Sequence, residues 1–329
     1  MENRPARAPG VADGFARIRF TGRAGEYFRI WIVNVCLSVL TLGIYSAWAK
    51  VRRKRYFYGN TLLNDSGFEY LANPKAILKG RIIVVVGFAV YSAARELVPL
   101  LGAVLSLVFI GILPWVINRA ARFNAVNSAY RNVRFGFSAT YRETGQFLIL
   151  PVVLVPLSLG LLYPYYARRK MQFLLQHSSY GTTKVEFSGT IGAYYLAYFK
   201  AALMFVLFVV GSIVTVGIGA LPLYILFASY RDAQVGKLRW RNTRVGKLRF
   251  ACAWETGGLF KLNFVNSLAV IFSLGLLGPW AAVRTARYQL ERISVVPASE
   301  FSAFVAAEQQ QVSATGDEAA DLLGFDFGL

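Results

Sequence analysis

His177 is the sole histidine among 329 residues, so proton-shuttling chemistry has a single candidate. A Ser-His-Asp set or a zinc-binding HExxH pair needs partners at set spacings, and neither occurs around it. Cys36 and Cys252 are the two cysteines. That is too few for a disulfide framework or a thiolate metal site, so no metal and no cofactor is expected. There is no GxxxxGK[ST] loop, and Gly25, Gly59, Gly67 and Gly246 read as turn glycines rather than a phosphate cradle. An enzyme is therefore not expected.

Positive charge is the chemistry the chain does offer. Bases cluster at Lys50-Val51-Arg52-Arg53-Lys54-Arg55, at Arg119 with Arg122, at Arg168-Arg169-Lys170, from Arg231 to Lys237, and at Arg284 with Arg287. The formal net charge is +19, but the last 33 residues from Pro297 hold six acids and no base; the other 11 acids against 36 bases leave +25 on residues 1–296. A basic chain with Tyr56, Phe57, Trp240 and Phe250 beside its cations has the means to stack nucleic-acid bases. Each cluster, however, directly follows an apolar run, where membrane topology alone accounts for it, so no nucleic-acid partner is expected. Anionic lipid headgroups are the expected partner, each nearby base gaining about 1 kcal/mol at a negative surface. The candidate headgroup contacts are Trp48, Arg52, Arg53, Arg55, Arg168, Arg169, Trp280, Arg284 and Arg287.

The elements that carry these bases are embedded ones. The chain is 56% hydrophobic and 16% charged, against about 45–50% and about 25% in soluble domains. Uncharged runs cover Ile30 to Ala49, Ile82 to Ala94, Leu97 to Asn118, Thr144 to Ala167, Ala201 to Tyr230 and Leu262 to Val283. The second is short for a crossing, and the fifth is long enough to split at Gly217 and Gly219. Set against roughly 20 residues per span, about six to seven membrane-embedded helices are expected. Met1 to Gly14 lacks an apolar stretch followed by a small-residue cleavage site, so the first apolar segment is expected to be retained.

Seven simple crossings cannot place every basic cluster on one side, and an internal repeat suggests why. Gly25 to Tyr56 aligns without a gap on Gly257 to Tyr288, pairing Phe28 with Phe260, Arg29 with Lys261, Asn34 with Asn266, Leu42-Gly43 with Leu274-Gly275, Trp48 with Trp280 and Arg52 with Arg284. A weaker copy runs from Gly145 through Phe147, Leu159-Gly160 and Arg169 to Phe173. Asn60-Thr61, Asn127-Ser128 and Asn242-Thr243 each precede a phenylalanine eight residues on, at Phe68, Phe135 and Phe250. Period-two patterning there, from Leu238 to Phe250, and at Phe15 to Phe20 reads as short β-hairpins at the cytoplasmic surface. Parallel copies need an even number of crossings, so the segments starting near Phe28, Phe147 and Phe260 are expected to dip and return at Gly43, Gly160 and Gly275; the alternative is seven full crossings with one basic cluster outside.

Polar groups inside apolar runs are usually retained for a reason. Arg29, Asn34, Lys261 and Asn266 are the candidate lining of a polar cavity. The structural alternative is snorkelling cations and helix-to-helix amide bonds.

Phe28, Asn34, Thr41-Leu42-Gly43-Ile44-Tyr45, Trp48-Ala49-Lys50-Val51-Arg52 and Tyr56, followed by Asn60-Thr61 and Phe68, resemble the signature of the YjgN-like family of bacterial inner-membrane proteins. The resemblance is strongest over Phe15 to Gly80 and extends to about Val296; the central copy departs from it, with Val153 in place of the Asn and Tyr165 in place of the Trp. It implies a multi-pass protein of the bacterial inner membrane and supplies no reaction, ligand or catalytic residue.

The expectation is thus an all-α polytopic membrane protein built from degenerate repeats starting near residues 15, 135 and 250, with cytoplasmic basic loops and β-hairpins. Residues 1–296 form the membrane domain, and residues 297–329, rich in Ala, Gln and acids without apolar periodicity, form a disordered acidic tail. Two functions follow from this reading: a small-solute permease or channel-like transporter, or an anionic-lipid-binding or membrane-organising protein without transport.

Overall fold

The computed structural model describes residues 11–12 and 14–323. A two-residue β1 (Val11–Ala12) leads into β2 (Phe15–Phe20), where Ala16, Ile18 and Phe20 turn inward and Arg17 and Arg19 outward. Five strand, helical hairpin, strand units then follow. The first is β2, α1 (Ala24–Leu40), α2 (Ser46–Gly59) and β3 (Thr61–Leu63). The second is β4 (Ser66–Tyr70), α3 (Pro74–Leu97), α4 (Pro99–Val126) and β5 (Ser128–Tyr130). The third is β6 (Val133–Phe137), α5 (Tyr141–Ile149), a π-helical stretch Leu150–Leu154, α6 (Val155–Leu157), α7 (Tyr163–Gln176) and β7 (Ser178–Tyr180). The fourth is β8 (Thr183–Phe187), α8 (Ile191–Val214), α9 (Ala220–Arg241) and β9 (Thr243–Val245). The fifth is β10 (Leu248–Cys252), α10 (Thr256–Phe272), α11 (Gly278–Leu290) and β11 (Ile293–Val296).

The strands pair antiparallel in one eleven-stranded sheet that bends round until β2 pairs with β3, so that all but β1 form a closed ring. Closure removes the exposed edges that three-residue strands could not otherwise protect. The two strands of each unit meet through apolar pairs: Ile18 faces Leu63, Phe68 faces Tyr130, Phe135 faces Tyr180, Val185 faces Val245, and Phe250 faces Val295. The phenylalanines placed eight residues after each Asn-Thr or Asn-Ser pair thus point into the barrel and pack in its core.

A last helix, α12 (Ala298–Leu323), closes one mouth of the barrel. Ala298, Phe301, Val305 and Glu308 recur at helical spacing and are all buried. Phe301 meets Tyr130 at 6.0 Å between rings, and Phe304 meets Tyr180 at 6.0 Å. The polar face of α12 grips the strand turns. Glu308 accepts from the Thr182 amide at 2.8 Å and from the hydroxyls of Thr182 and Thr183; Gln309 donates to the Arg131 carbonyl at 2.6 Å; Asn64 donates to Ser302 at 3.2 Å.

The structure departs from the sequence expectations at three points. An all-α fold with six to seven membrane helices is replaced by a closed β-barrel carrying helical hairpins. By length and composition, three described helices can cross a membrane, Pro74–Leu97, Leu100–Val126 and Ile191–Val214. Long apolar runs dominate a hydropathy reading, whereas strands of three to six residues gain their stability from partners far along the chain and leave little local trace. Leu238 and Trp240, read as strand, end α9 instead. The segment from residue 297, read as disordered, is largely helix: its periodic Ala298, Phe301 and Val305 are diluted by alanine and glutamine, so the apolar stripe is narrow. Residues 324–329, the end of that expected tail, lie outside the described residues.

Candidate functional site

Two kinds of joint recur where the helical hairpins meet the barrel. At the end of α2, α4 and α9, Asn60, Asn127 and Asn242 bond back to the carbonyl four residues earlier, at 2.8, 2.7 and 2.7 Å. His177 does the same at the end of α7, its Nδ1 lying 2.8 Å from the Phe173 carbonyl. The lone histidine therefore occupies the capping position that asparagine fills elsewhere, and its Nε2 lies 3.3 Å from Glu143. The carbonyls of Asn60, Asn127, His177, Asn242 and Arg292 each accept from the amide just past the paired strand, at 2.8–2.9 Å.

The second joint is an arginine reaching the next unit. Arg55 donates to the carbonyls of Tyr70 and Ala72 at 3.2 and 3.3 Å, Arg168 to Gly189 at 2.7 Å, Arg241 to Cys252 at 3.4 Å, and Arg287 to Gly22 at 2.8 Å. Arg55, Arg168 and Arg287, sequence candidates for headgroup contact, thus bind neighbouring backbone. Among the others, Arg284 lies 4.4 Å over the Trp280 ring and donates to Asn266 at 3.0 Å. Arg52 reaches Tyr45 at 3.5 Å, Trp48 stacks on Tyr45, and Arg169 is exposed beside Gln172.

Each hairpin leaves from and returns to the same barrel, so the basic ends of α2, α4, α7, α9 and α11 all gather on the barrel side. This geometry removes the conflict that simple crossings create. At the far end, four bends share one construction, Thr41-Leu42-Gly43, Ser158-Leu159-Gly160, Thr215-Val216-Gly217 and Ser273-Leu274-Gly275. The hydroxyl donates back into its own helix and accepts from the amide four residues on, that of Tyr45, Leu162, Gly219 or Leu277, at 2.8–3.0 Å. The central residue takes φ of 49–51° and the glycine 85–91°. A bulky apolar residue in the left-handed region is uncommon. Here Leu42, Leu159, Val216 and Leu274 stand 89–95% exposed. The α3–α4 bend is built differently. Arg95 and Glu96 lie beside it, and a Cβ on Gly102 would come within 2.8 Å of the Arg95 backbone, so the close turn requires glycine there.

Between the hairpins lie two cavities of ≈ 840 and ≈ 820 Å³ that share Arg53 and Ala282 as lining. Asn34 lines the first and Asn266 the second. Arg29 and Lys261, grouped with them by sequence, lie on exposed faces of α1 and α10 and line neither cavity. Asn266 is saturated: it donates to Thr285 at 3.1 Å and the Ala281 carbonyl at 3.4 Å and accepts from Arg284. Asn34 is 7% exposed, and among the described residues its Oδ1 has no partner. Sequence spacing does not mark the bases around Asn34 as cavity lining. Lys50, Arg53 and Lys54 come from α2, and Arg81, bonded to Ser46, comes from α3. The α2 bases recur with helical spacing in the sequence, but nothing local connects them to Arg81.

Bonds from the Thr140 amide and hydroxyl hold the Glu143 carboxyl at about 2, below its ordinary 4.5. Because the folded value is depressed, the stabilisation is complete above about pH 4.5 and is lost as pH falls toward 2. Melting curves of the wild type and Glu143→Gln are expected to differ at neutral pH and to converge over that window. A gap that persists at pH 2 would rule out the carboxylate as its source.

Residues 15–322 match the family described as bacterial protein of unknown function (DUF898). The inner membrane protein YjgN of Salmonella typhimurium is 36% identical over 141 residues, 41% of this chain and 35% of that protein. The proteins of the same name from Escherichia coli O157:H7 and strain K12 are each 26% identical over 260 residues, 79% of this chain and 58% of theirs. The chain thus spans between about a third and three fifths of the length of these curated relatives. No solved structure matches it.

Proposed function

The chain belongs to the bacterial family of proteins of unknown function DUF898, and from that membership and its architecture we propose an inner-membrane protein that binds anionic lipid and organises the bilayer around it, without transport or catalysis. The named relatives are inner membrane proteins. The barrel lies in the cytoplasm with its basic helix ends against the anionic leaflet, and the hairpins enter the hydrocarbon.

The observation that carries the lipid reading is the filled barrel. Its bore is packed with Ile18, Leu63, Tyr130, Tyr180, Val295, Phe301 and their neighbours and is stopped by α12. A solute following the axis between the hairpins ends on apolar side chains. The bends support the immersion: their backbone amides are satisfied within the hairpin, by its own carbonyls and by the bend hydroxyl, as hydrocarbon requires. At 17 residues, α1 rises about 25 Å, short of a core about 30 Å thick. It dips and returns, while the α3–α4 hairpin, with charges at its bend, reaches the far surface.

Single-cysteine probes at Asn64, Ser178, Glu291 and Glu96, in protein with Cys36 and Cys252 replaced, test the orientation. The first three are expected to stay unlabelled until cells are lysed, and Glu96 to label from outside. Labelling of Ser178 in intact cells would invert a unit and defeat the arrangement. Lipid retained by the purified full chain is expected to be enriched in anionic phospholipid over the surrounding membrane. Retained lipid of bulk composition, together with solute uptake that depends on Asn34 and Asn266, would put a permease in its place.

A further inference from the structure

We infer that the cavity between α1, α2, α3 and α11 is a dedicated site for one anionic phospholipid, a phosphodiester whose headgroup carries a hydroxyl. This inference rests on the membrane reading above and adds to it a location, a stoichiometry and a headgroup chemistry.

The first observation is charge. Lys50, Arg53, Lys54 and Arg81 line this cavity, and among the described residues no acid does. Lys54 is held by Asn124 at 2.8 Å and Arg81 by Ser46. The side chains of Lys50 and Arg53 make no hydrogen bond or ion pair among the described residues. Uncompensated cations gathered beside an apolar wall repel one another until an anion joins them. Phosphate oxygens suit the set, because lysine and arginine both donate charge-assisted bonds to them.

The second observation is independent and concerns Asn34. The aligned Asn266 meets all its needs within the protein, through Arg284, Thr285 and the Ala281 carbonyl. In the first unit those positions are Arg52, Arg53 and Ala49. Arg52 turns outward onto Tyr45, and Arg53 replaces the threonine hydroxyl with a second donor. The Asn34 Oδ1 is left buried and unpartnered on the cavity wall. Among the described residues none of the bases around it is bonded to it, and a ligand that combines an anion with an O–H group engages those bases and supplies the bond Oδ1 lacks. A glycerol headgroup does so, and a bare phosphate diester does not.

The third is the apolar end. Trp31, Val35 and Val39 continue the same wall toward the Leu42 bend, where Val39 is 69% and Leu42 95% exposed. An acyl chain can follow that path into the bilayer, whereas a free phosphate gains nothing from it.

The test uses the full chain in mild detergent, with binding read by native mass spectrometry. The probes are phosphatidylglycerol, phosphatidylethanolamine of the same chains, and soluble glycerol phosphate. One phosphatidylglycerol is expected to bind ahead of phosphatidylethanolamine, with soluble glycerol phosphate failing to displace it. Lys50→Ala with Arg53→Ala, both exposed positions, is expected to weaken it about tenfold or more. Lys50→Arg with Arg53→Lys retains it, and Asn34→Leu narrows the preference for the glycerol headgroup. An alanine pair that stays folded and binds phosphatidylglycerol like wild type overturns the site while leaving general anionic enrichment standing. Wild-type protein without preference for either lipid overturns both. Displacement by glycerol phosphate would make the site one for a soluble phosphate ester and overturn the lipid assignment.

Discussion

Replacing Phe301 by alanine is expected to destabilise the barrel by about 3–5 kcal/mol, the range for removing a buried aromatic from a packed core. Phe301 is 5% exposed, meets Tyr130 inside the ring, and sits one helical turn before Val305, which is 1% exposed. The barrel has few alternative ways to fill that space, since its strands are short and its ring is closed. Equilibrium unfolding in detergent, followed by tryptophan fluorescence, measures the loss. Val312→Ala, at a position 37% exposed on the same helix, serves as the control and is expected to cost much less, since exposed positions usually change stability by about 0.5 kcal/mol or less. Equal effects at the two positions would mean that α12 is not seated in the mouth. An intact α12 is also what holds the turns at Thr182, Arg131 and Asn64 together, so ending the chain after Pro297 is expected to loosen the barrel beyond the single substitution.

Aspartate at the hairpin bends is the second large effect, and its sign depends on the surroundings. Leu42 and Leu274 are 95% and 94% exposed, with φ of 49° and 51°. In water, aspartate at such positions is neutral or better, because it tolerates the left-handed region more readily than leucine. In hydrocarbon the same change costs about 2.5–3.5 kcal/mol for each charge at the bilayer centre. Leu42→Asp with Leu274→Asp is therefore expected to reduce the fraction of protein that resists alkaline extraction from membranes and to lower its melting temperature in bilayer discs. Unchanged extraction and melting would show bends that face water, and the dipping hairpins would have to be abandoned.

The arginines illustrate how one residue type divides between two roles. Arg55, Arg168, Arg241 and Arg287 look in sequence like their basic neighbours, yet each spans the gap between one hairpin and the next strand. Arg53, one helical position over from Arg52, faces both cavities instead. A cluster of bases after an apolar run does not say which base faces a cavity and which binds backbone, because helical rotation separates their directions by about 100° per residue.

Taken alone, the sequence determined that this is a membrane protein, that its bases gather where apolar runs end, that the chain bends at Gly43, Gly160, Gly217 and Gly275, and that phenylalanine recurs behind each asparagine cap. These are local properties, set by composition, by the backbone freedom of glycine and by spacing within a few turns, and they survive without knowledge of the fold. Only the tertiary structure decided that the strands close into a barrel, that α12 fills its mouth, and that Asn34 stands open while Asn266 is satisfied. Each of these depends on partners tens or hundreds of residues away: β2 on β11, Glu308 on Thr182, Asn34 on the absence of what Thr285 supplies to Asn266. Burial and hydrogen-bond satisfaction belong to the closed ring, where three-residue strands acquire stability from neighbours that no local pattern names.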